Sequence, residues 1–259
     1  MDLAFTIEQL EFYILIIVRV SAFVVSAPFL SNTSIPVKVK IGLSFFLGIM
    51  VINSLTYEPL EYVGVIGFAG VIMKELMIGL CLGYISSVCM YIVNFSGQMI
   101  DMEIGLSMAN MMDPATKIQS TITGNFYSYM VMFMMFATNM HYYIIEAILD
   151  SFRFVPVGQV VLNEKMYLVA MKFIVDYFII GFRIILPIFA SILLINIVLG
   201  ILVRVAPQMN MFVVGMQIKI FVGFIILLLI VEMMPMVSSF VFDEMKTMLR
   251  LMLESFTSS

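Results

Sequence analysis

Charged residues are scarce in this chain. They make up 12% of its 259 residues, against about a quarter in ordinary globular proteins. With 63% hydrophobic residues and a mean hydropathy of +1.12, that scarcity excludes a soluble domain and calls for an all-α integral membrane protein. The formal net charge of −4 comes without any basic run, so a nucleic-acid partner is excluded. The opening MDLAFTIEQLE carries Asp2, Glu8 and Glu11 but no Lys or Arg. A cleaved signal peptide would begin positively, so the first apolar segment is expected to be retained.

Other absences narrow the chemistry. The one histidine, His141, sits beside Tyr142 and Tyr143 with no acid or thiol at ligand spacing, which fits interfacial packing and not a metal site. The two cysteines, Cys81 and Cys89, fall in one apolar run. On a straight helix they stand about 12 Å apart, too far for a bridge. There is no HExxH, GxSxG, CxxC or phosphate loop. Asp101 and Glu103 are two positions apart and so do not share a helix face. No enzyme activity and no cofactor are expected.

What is abundant is apolar sequence, interrupted in telling places. One segment runs from about Leu10 to Pro28 with Arg19 near its middle. The connection SNTSIPVKVK follows, then a shorter segment from Ile41 to Leu55 and the acidic turn TYEPLEY. Lys38 and Lys40, set against the acidic N-terminus, favour the first loop on the cytoplasmic side. Tyr62 to Phe95 is interrupted by Lys74 and Glu75. As one helix it would stretch about 51 Å, past a hydrocarbon core of about 30 Å. It reads either as one long tilted helix or as two arms joined near Lys74. Beyond the charges, Gly79 and Gly83 have the small-x-x-x-small spacing that lets helix backbones approach.

A further segment spans about Phe126 to Leu149, followed by DSFRFVPVGQVVLNEK as an interfacial loop or a short amphipathic piece. Met166 to Val203 repeats the excess length, interrupted by Asp176, Arg183 and Pro187, where the lost backbone donor should kink a helix. After the joint RVAPQMNMFVVGMQIK comes the run Ile220 to Val231, and the tail from Pro235 alternates as an amphipathic helix does. That makes about six apolar segments, two of them overlong and kinked, or eight if both break. No Gly- or Ser-rich linker divides them, so a single domain over residues 1–259 is expected.

Three features compete for function. Arg19, Lys74, Glu75, Asp176 and Arg183 are intramembrane charges: either a proton or ion relay, or pairs that fix assembly with one another or with partner subunits. The 26 methionines cluster at Met108, Met111 and Met112, at Met130 to Met135, and at Met233 to Met236. Flexible thioethers fill gaps in cores, and they also make a deformable seal. The first cluster lies in GQMIDMEIGLSMANMMDP, Gly97 to Pro114, a polar and glycine-punctuated stretch between apolar runs. Read as a helix, Gln98, Asp101, Gly105, Met108 and Met112 share one face. Lipid cannot satisfy such a face, so it is expected to front protein or a water path.

These residues resemble the FliR/SctT family. Arg19, Pro28 and Pro36-Val37-x-Val39-Lys40 match its first hairpin, and Glu75, Gly79 and Gly83 its glycine-rich helix. Gly97-Gln98, Asp101, Gly105 and Asp113-Pro114 match its central stretch. Arg204, Pro207, Gln208, Asn210, Phe212 and Gly215 match its late joint. The resemblance covers essentially the whole chain. It implies a core subunit of a type III secretion export gate, joined to FliP and FliQ in a spiral of helical hairpins with FlhB and FlhA nearby, at the flagellar basal body in the bacterial inner membrane. By position it implies that Gly105, Leu106, Met108, Met111, Met112, Asp113 and Pro114 form a plug facing the path of unfolded export substrates. Methionines stand there where phenylalanines are common in the family. The competing reading is a self-sufficient small-solute transporter with discontinuous helices near Lys74 and Pro187.

Overall fold

The computed structural model describes residues 7–32, 34–60, 62–107, 121–160, 165–206, 208 and 211–256. Among them every regular element is an α-helix: α1 Ile7–Ser26, α2 Val37–Ser54, α3 Gly64–Ile104, α4 Ile122–Ala137, α5 Met140–Phe154, α6 Lys165–Val205, α7 Met211–Val231 and α8 Met234–Ser255. Five of these, α1, α2, α3, α6 and α7, are long and apolar enough to cross a membrane.

The helix ends follow local chemistry. Pro36, whose ring presets φ, stands immediately before α2. Gly64 and Gly105 take φ of 65° and 94° at the two ends of α3, a region open to glycine at little steric cost. Asn139 at φ 60° separates α4 from α5. Asn is among the few residues that visit that region routinely.

Both overlong segments are single helices. α3 and α6 have 41 residues each, about 61 Å of helix. Lys74 and Pro187 lie inside them, so the division into eight shorter arms does not occur. Two expectations are corrected and one alternative is decided. The segment Phe126 to Leu149 is two helices, because Asn139 turns the chain. The stretch after Asp150 takes its amphipathic reading and not its interfacial-loop one: α5 continues to Phe154, and Val155, Val157 and Val160 beyond it are buried. The helical face drawn through Gln98, Asp101 and Gly105 stops at Ile104, since the φ of Gly105 ends the helix.

The described residues group into two compact units. One draws on Met1–Val88, Asn139–Phe173 and Asp243–Ser259, the other on Cys89–Thr138 and Ile174–Phe242. In the first, Leu15, Ile16, Val20 and Phe23 of α1 are buried, as are Ile78 and Leu82 of α3 and Ile144 and Ile148 of α5. α1 and α3 approach closely at Gly79 and Gly83. A Cβ on Gly79 would strike the Arg19 carbonyl oxygen and lie 2.8 Å from Ala22 Cβ. One on Gly83 would strike Ser26 Oγ and lie 2.9 Å from the Phe23 oxygen. The tail helix α8 adds Met245, Met248, Leu249 and Met252 to the buried set and keeps Asp243, Arg250 and Glu254 exposed, the amphipathic pattern its sequence predicts.

In the second unit, α3 and α4 meet at Gly97 and Gly124 with no side chain between them. Ser96 Oγ donates to the Gly181 carbonyl of α6 at 3.2 Å. Gly223 of α7 packs on Ile104, where an added Cβ would come within 2.7 Å of its side chain.

Candidate functional site

Arg19 and Glu75 form one ion pair with no exposed side-chain surface, Arg19 Nε to Glu75 Oε2 at 2.5 Å. The pair is embedded in a network. Arg19 Nη1 donates to the Ser151 carbonyl at 3.0 Å and the Val155 carbonyl at 2.9 Å, both at the C-terminal end of α5. There the orphan carbonyls and the negative end of the helix dipole favour a cation. Glu75 Oε1 accepts from the Gly158 backbone N–H at 2.8 Å. The guanidinium also stacks 4.2 Å above the Phe152 ring. α1, α3, α5 and the turn after α5 are thus pinned at one point. A buried charge pair is tolerable only when its remaining donors and acceptors are met, and here most are. Arg19 Nη2 alone has no hydrogen-bond partner.

In the second unit the polar segment begins on Asp101, which is buried. Both its carboxylate oxygens accept from the Thr123 backbone N–H, at 3.2 and 3.3 Å. Thr121 precedes α4 without making a side-chain cap. Asp101 therefore caps α4 from another helix, satisfying an orphan donor at the positive end of the dipole. Gln98 is half-buried one turn earlier, Gly105 closes the helix by donating to the Asp101 carbonyl at 3.1 Å, and Leu106 is buried. Met108, Met111, Met112, Asp113 and Pro114 lie outside the described residues. Asp101→Ala is expected to loosen the first turn of α4 by about 1 kcal/mol. Hydrogen exchange at the Thr123 amide checks this, and unchanged protection there would contradict it.

The remaining charges do not converge on either centre. Lys74 and Asp176 are half-buried, and Arg183, Arg204 and Gln208 are exposed. The Arg183 guanidinium lies 5.6 Å from the Phe240 ring. Pro207 and Asn210 fall outside the described residues. No group of His, Cys, Asp and Glu among the described residues could hold a metal ion. Sequence reasoning missed Val155, Gly158 and Thr123, which contribute backbone groups and so leave no side-chain signal, and Ser151, whose hydroxyl accepts from Arg19 Nη1 at 3.4 Å beside its carbonyl. It also missed Gly124, whose only signal is its small size.

A third polar cluster sits before α3, where Tyr57 donates to Glu8 at 3.2 Å and Tyr62 donates to Glu11. The bond to Glu11, then desolvation, pushes the Tyr62 phenol above its usual 10.0. The protonated phenol is therefore favoured in the folded chain. Its contribution is intact below the ordinary tyrosine value and is lost as pH rises through the raised folded value. Ultraviolet titration of the wild type against Glu11→Gln should show one tyrosine moving toward 10 in the variant; identical curves would contradict the bond.

The apolar helices, the sealed ion pair and the interhelical caps define a class: an all-α integral membrane protein whose buried polar groups join helices to one another. The family model for bacterial export proteins, family 1, matches residues 10–256. The flagellar biosynthetic protein FliR of Bacillus subtilis (strain 168) is 34% identical over 92% of this chain and 92% of the relative. Its namesake in Escherichia coli (strain K12) is 29% identical over 90% of this chain and 88% of the relative. That of Aquifex aeolicus (strain VF5) is 27% identical over 93% of each. The chain belongs to the bacterial export proteins, family 1, as a FliR-like member.

Proposed function

We propose that this chain is a core subunit of the flagellar type III secretion export gate. With FliP-like and FliQ-like subunits it forms the channel through which unfolded flagellar proteins pass, in the bacterial inner membrane at the basal body, with FlhB and FlhA nearby. The observation that carries this reading is the family match over residues 10–256, together with relatives named for flagellar biosynthesis. Two physical features support it. α3 and α6 are each about twice as long as a hydrocarbon core is thick, so much of their length needs protein or water beside it. Large apolar side chains along α2, α6 and α7 are left uncovered by the chain itself, among them Phe46, Leu194 and Leu228.

The mechanism is passive. The segment from Gly105 to Pro114 leaves α3 where Asp101 clamps α4, so its root is anchored while Met108, Met111 and Met112 supply flexible thioethers to the path. They seal it when empty and yield to a passing polypeptide, with energy supplied by a soluble ATPase and the proton gradient acting on other subunits. Replacing all three methionines with Gly should raise ion leak through the assembled gate. Unchanged conductance in planar bilayers would end the sealing role. The transporter alternative loses its main feature, because the helices around Lys74 and Pro187 are continuous.

A further inference from the structure

α3 carries three acids, Glu75, Asp101 and Glu103. Glu75 is answered by Arg19 and Asp101 by the Thr123 amide. Glu103 is half-buried, and among the described residues it has neither an ion pair nor a hydrogen bond.

Its surroundings follow from the register of α3 on α6. The Phe95 ring lies 6.1 Å from that of Tyr177 and 6.2 Å from that of Phe178, and Ser96 bonds Gly181. Met99 and Glu103 come next, lining a cleft of about 160 Å³ with Phe182, Ile185, Leu186 and Phe189. The two helices therefore run parallel here, and Glu103, two turns past Ser96, is level with Ile188. From Ile184 to Val203 α6 has no charge, so the carboxylate faces an aromatic and aliphatic wall.

No cation among the described residues is placed to meet it. Arg183 precedes that stretch, and a helical side chain leans toward the N-terminus, here away from Glu103. Its guanidinium lies instead 5.6 Å from the Phe240 ring. Lys219 belongs to α7, which packs on α3 through Gly223 against Ile104. Neighbouring residues on a helix point about 100° apart, so α7 and the cleft take different sides of α3.

The walls of the cleft are open, since Phe182, Leu186 and Phe189 are exposed. Whatever covers these apolar side chains also takes Glu103 out of water. A carboxylate desolvated without a counter-charge is strongly unfavourable, so the covering surface must be apolar and bring its own cation. The cleft is smaller than small-molecule pockets, which run to about 300–1,000 Å³, and it takes one side chain. Phe182 and Phe189 add aromatic rings, which attract a cation. A lipid headgroup would bring a phosphate with its ammonium, and no residue lining the cleft answers a phosphate.

We infer that the α3–α6 cleft is a socket for one Lys or Arg side chain, carried by an apolar helix of a neighbouring subunit, with Glu103 as its counter-ion. The inference rests on the export-gate reading, since it requires a neighbouring subunit. It adds the charge which that subunit carries at this point. Apolar contact alone accepts any helix of suitable shape, whereas the carboxylate rejects one that lacks the cation.

The test uses the full chain, co-expressed with its FliP-like and FliQ-like subunits and purified through a tag on this chain. Glu103→Lys should lower the co-purified partner about tenfold or more, because it sets like charges together. Glu232→Lys makes the same change of charge at an exposed position outside the cleft and should retain the partners. Photoreactive benzoylphenylalanine in place of Leu186 then identifies the segment in the socket. That segment should hold a Lys or Arg within one helical turn of the crosslink. Replacing that residue with Glu should rescue assembly of Glu103→Lys, which a misfolded variant would not allow. Equal retention by wild type and Glu103→Lys would overturn the inference and leave the export-gate reading standing. So would a crosslinked segment without a cation, crosslinking to lipid alone, or a failure of rescue. A wild-type chain that purifies without partners would end both.

Discussion

Arg19→Ala should be among the most damaging single substitutions in this chain, at about 3–5 kcal/mol. The change removes the guanidinium that meets Glu75 at 2.5 Å and strips the Ser151 and Val155 carbonyls of a charged donor. Glu75 is left as a buried carboxylate whose remaining hydrogen bond comes from Gly158. An uncompensated charge costs far more than the pair contributes. Arg19→Lys should recover only part of the loss, since a single ammonium cannot reproduce the planar fork that serves Glu75 and two carbonyls together. The double variant Arg19→Met with Glu75→Leu removes both charges and should be much less impaired than either charge-deleting single variant. Membrane accumulation and thermal unfolding of the purified assembly provide the measurement. If the double variant is worse than Arg19→Ala, the network matters through more than charge compensation.

The second large effect is expected at Gly97. An added methyl would land on the Cα and N of Gly124 and lie 2.8 Å from the Thr123 carbonyl carbon. These are backbone atoms, so no rotamer change relieves the collision; α3 and α4 must separate. That separation also pulls Asp101 away from Thr123. Overpacking of this kind costs about 1–3 kcal/mol or more, and loss of the cap adds to it. Gly97→Ala should therefore lower the melting temperature strongly, and Gly97→Val should prevent accumulation. Gly42 in α2 is the control, because nothing lies within 4 Å of a Cβ built there. Gly42→Ala should be neutral or stabilising by up to about 1 kcal/mol. Equal effects at the two glycines would show that helix propensity, and not close packing, sets the response.

Much of the architecture was legible from residue order. Segment-level hydropathy marks α1, α2, α3, α6 and α7, and the excess length of two of them follows from counting apolar residues. The boundary at Asn139 was not legible. Thr138 and Asn139 sit in a run of methionine and aromatic residues whose hydropathy hides a turn made by backbone conformation. The burial of the stretch after α5 was hidden for a related reason. Its sequence has Pro156 and Gly158, as surface loops do, yet Glu75 takes up the Gly158 N–H and Arg19 takes the Val155 oxygen. With those groups satisfied, Val155, Val157 and Val160 can be buried.

The intramembrane charges show the same division. Arg19 and Glu75 stood out as costly, but 56 positions separate them and nothing local says that they meet. Asp101 stood out as part of a polar face, whereas its partner is a backbone amide at the start of α4.

Residue order by itself determined that the chain belongs in a membrane, that it is built of helices, and which family it joins. Each of these follows from quantities summed along neighbouring residues. Tertiary structure decided which buried charge is neutralised by which, where two glycines let backbones touch, and which apolar faces stay uncovered. Those outcomes depend on distances between residues far apart in the chain, and only the packed helices set them.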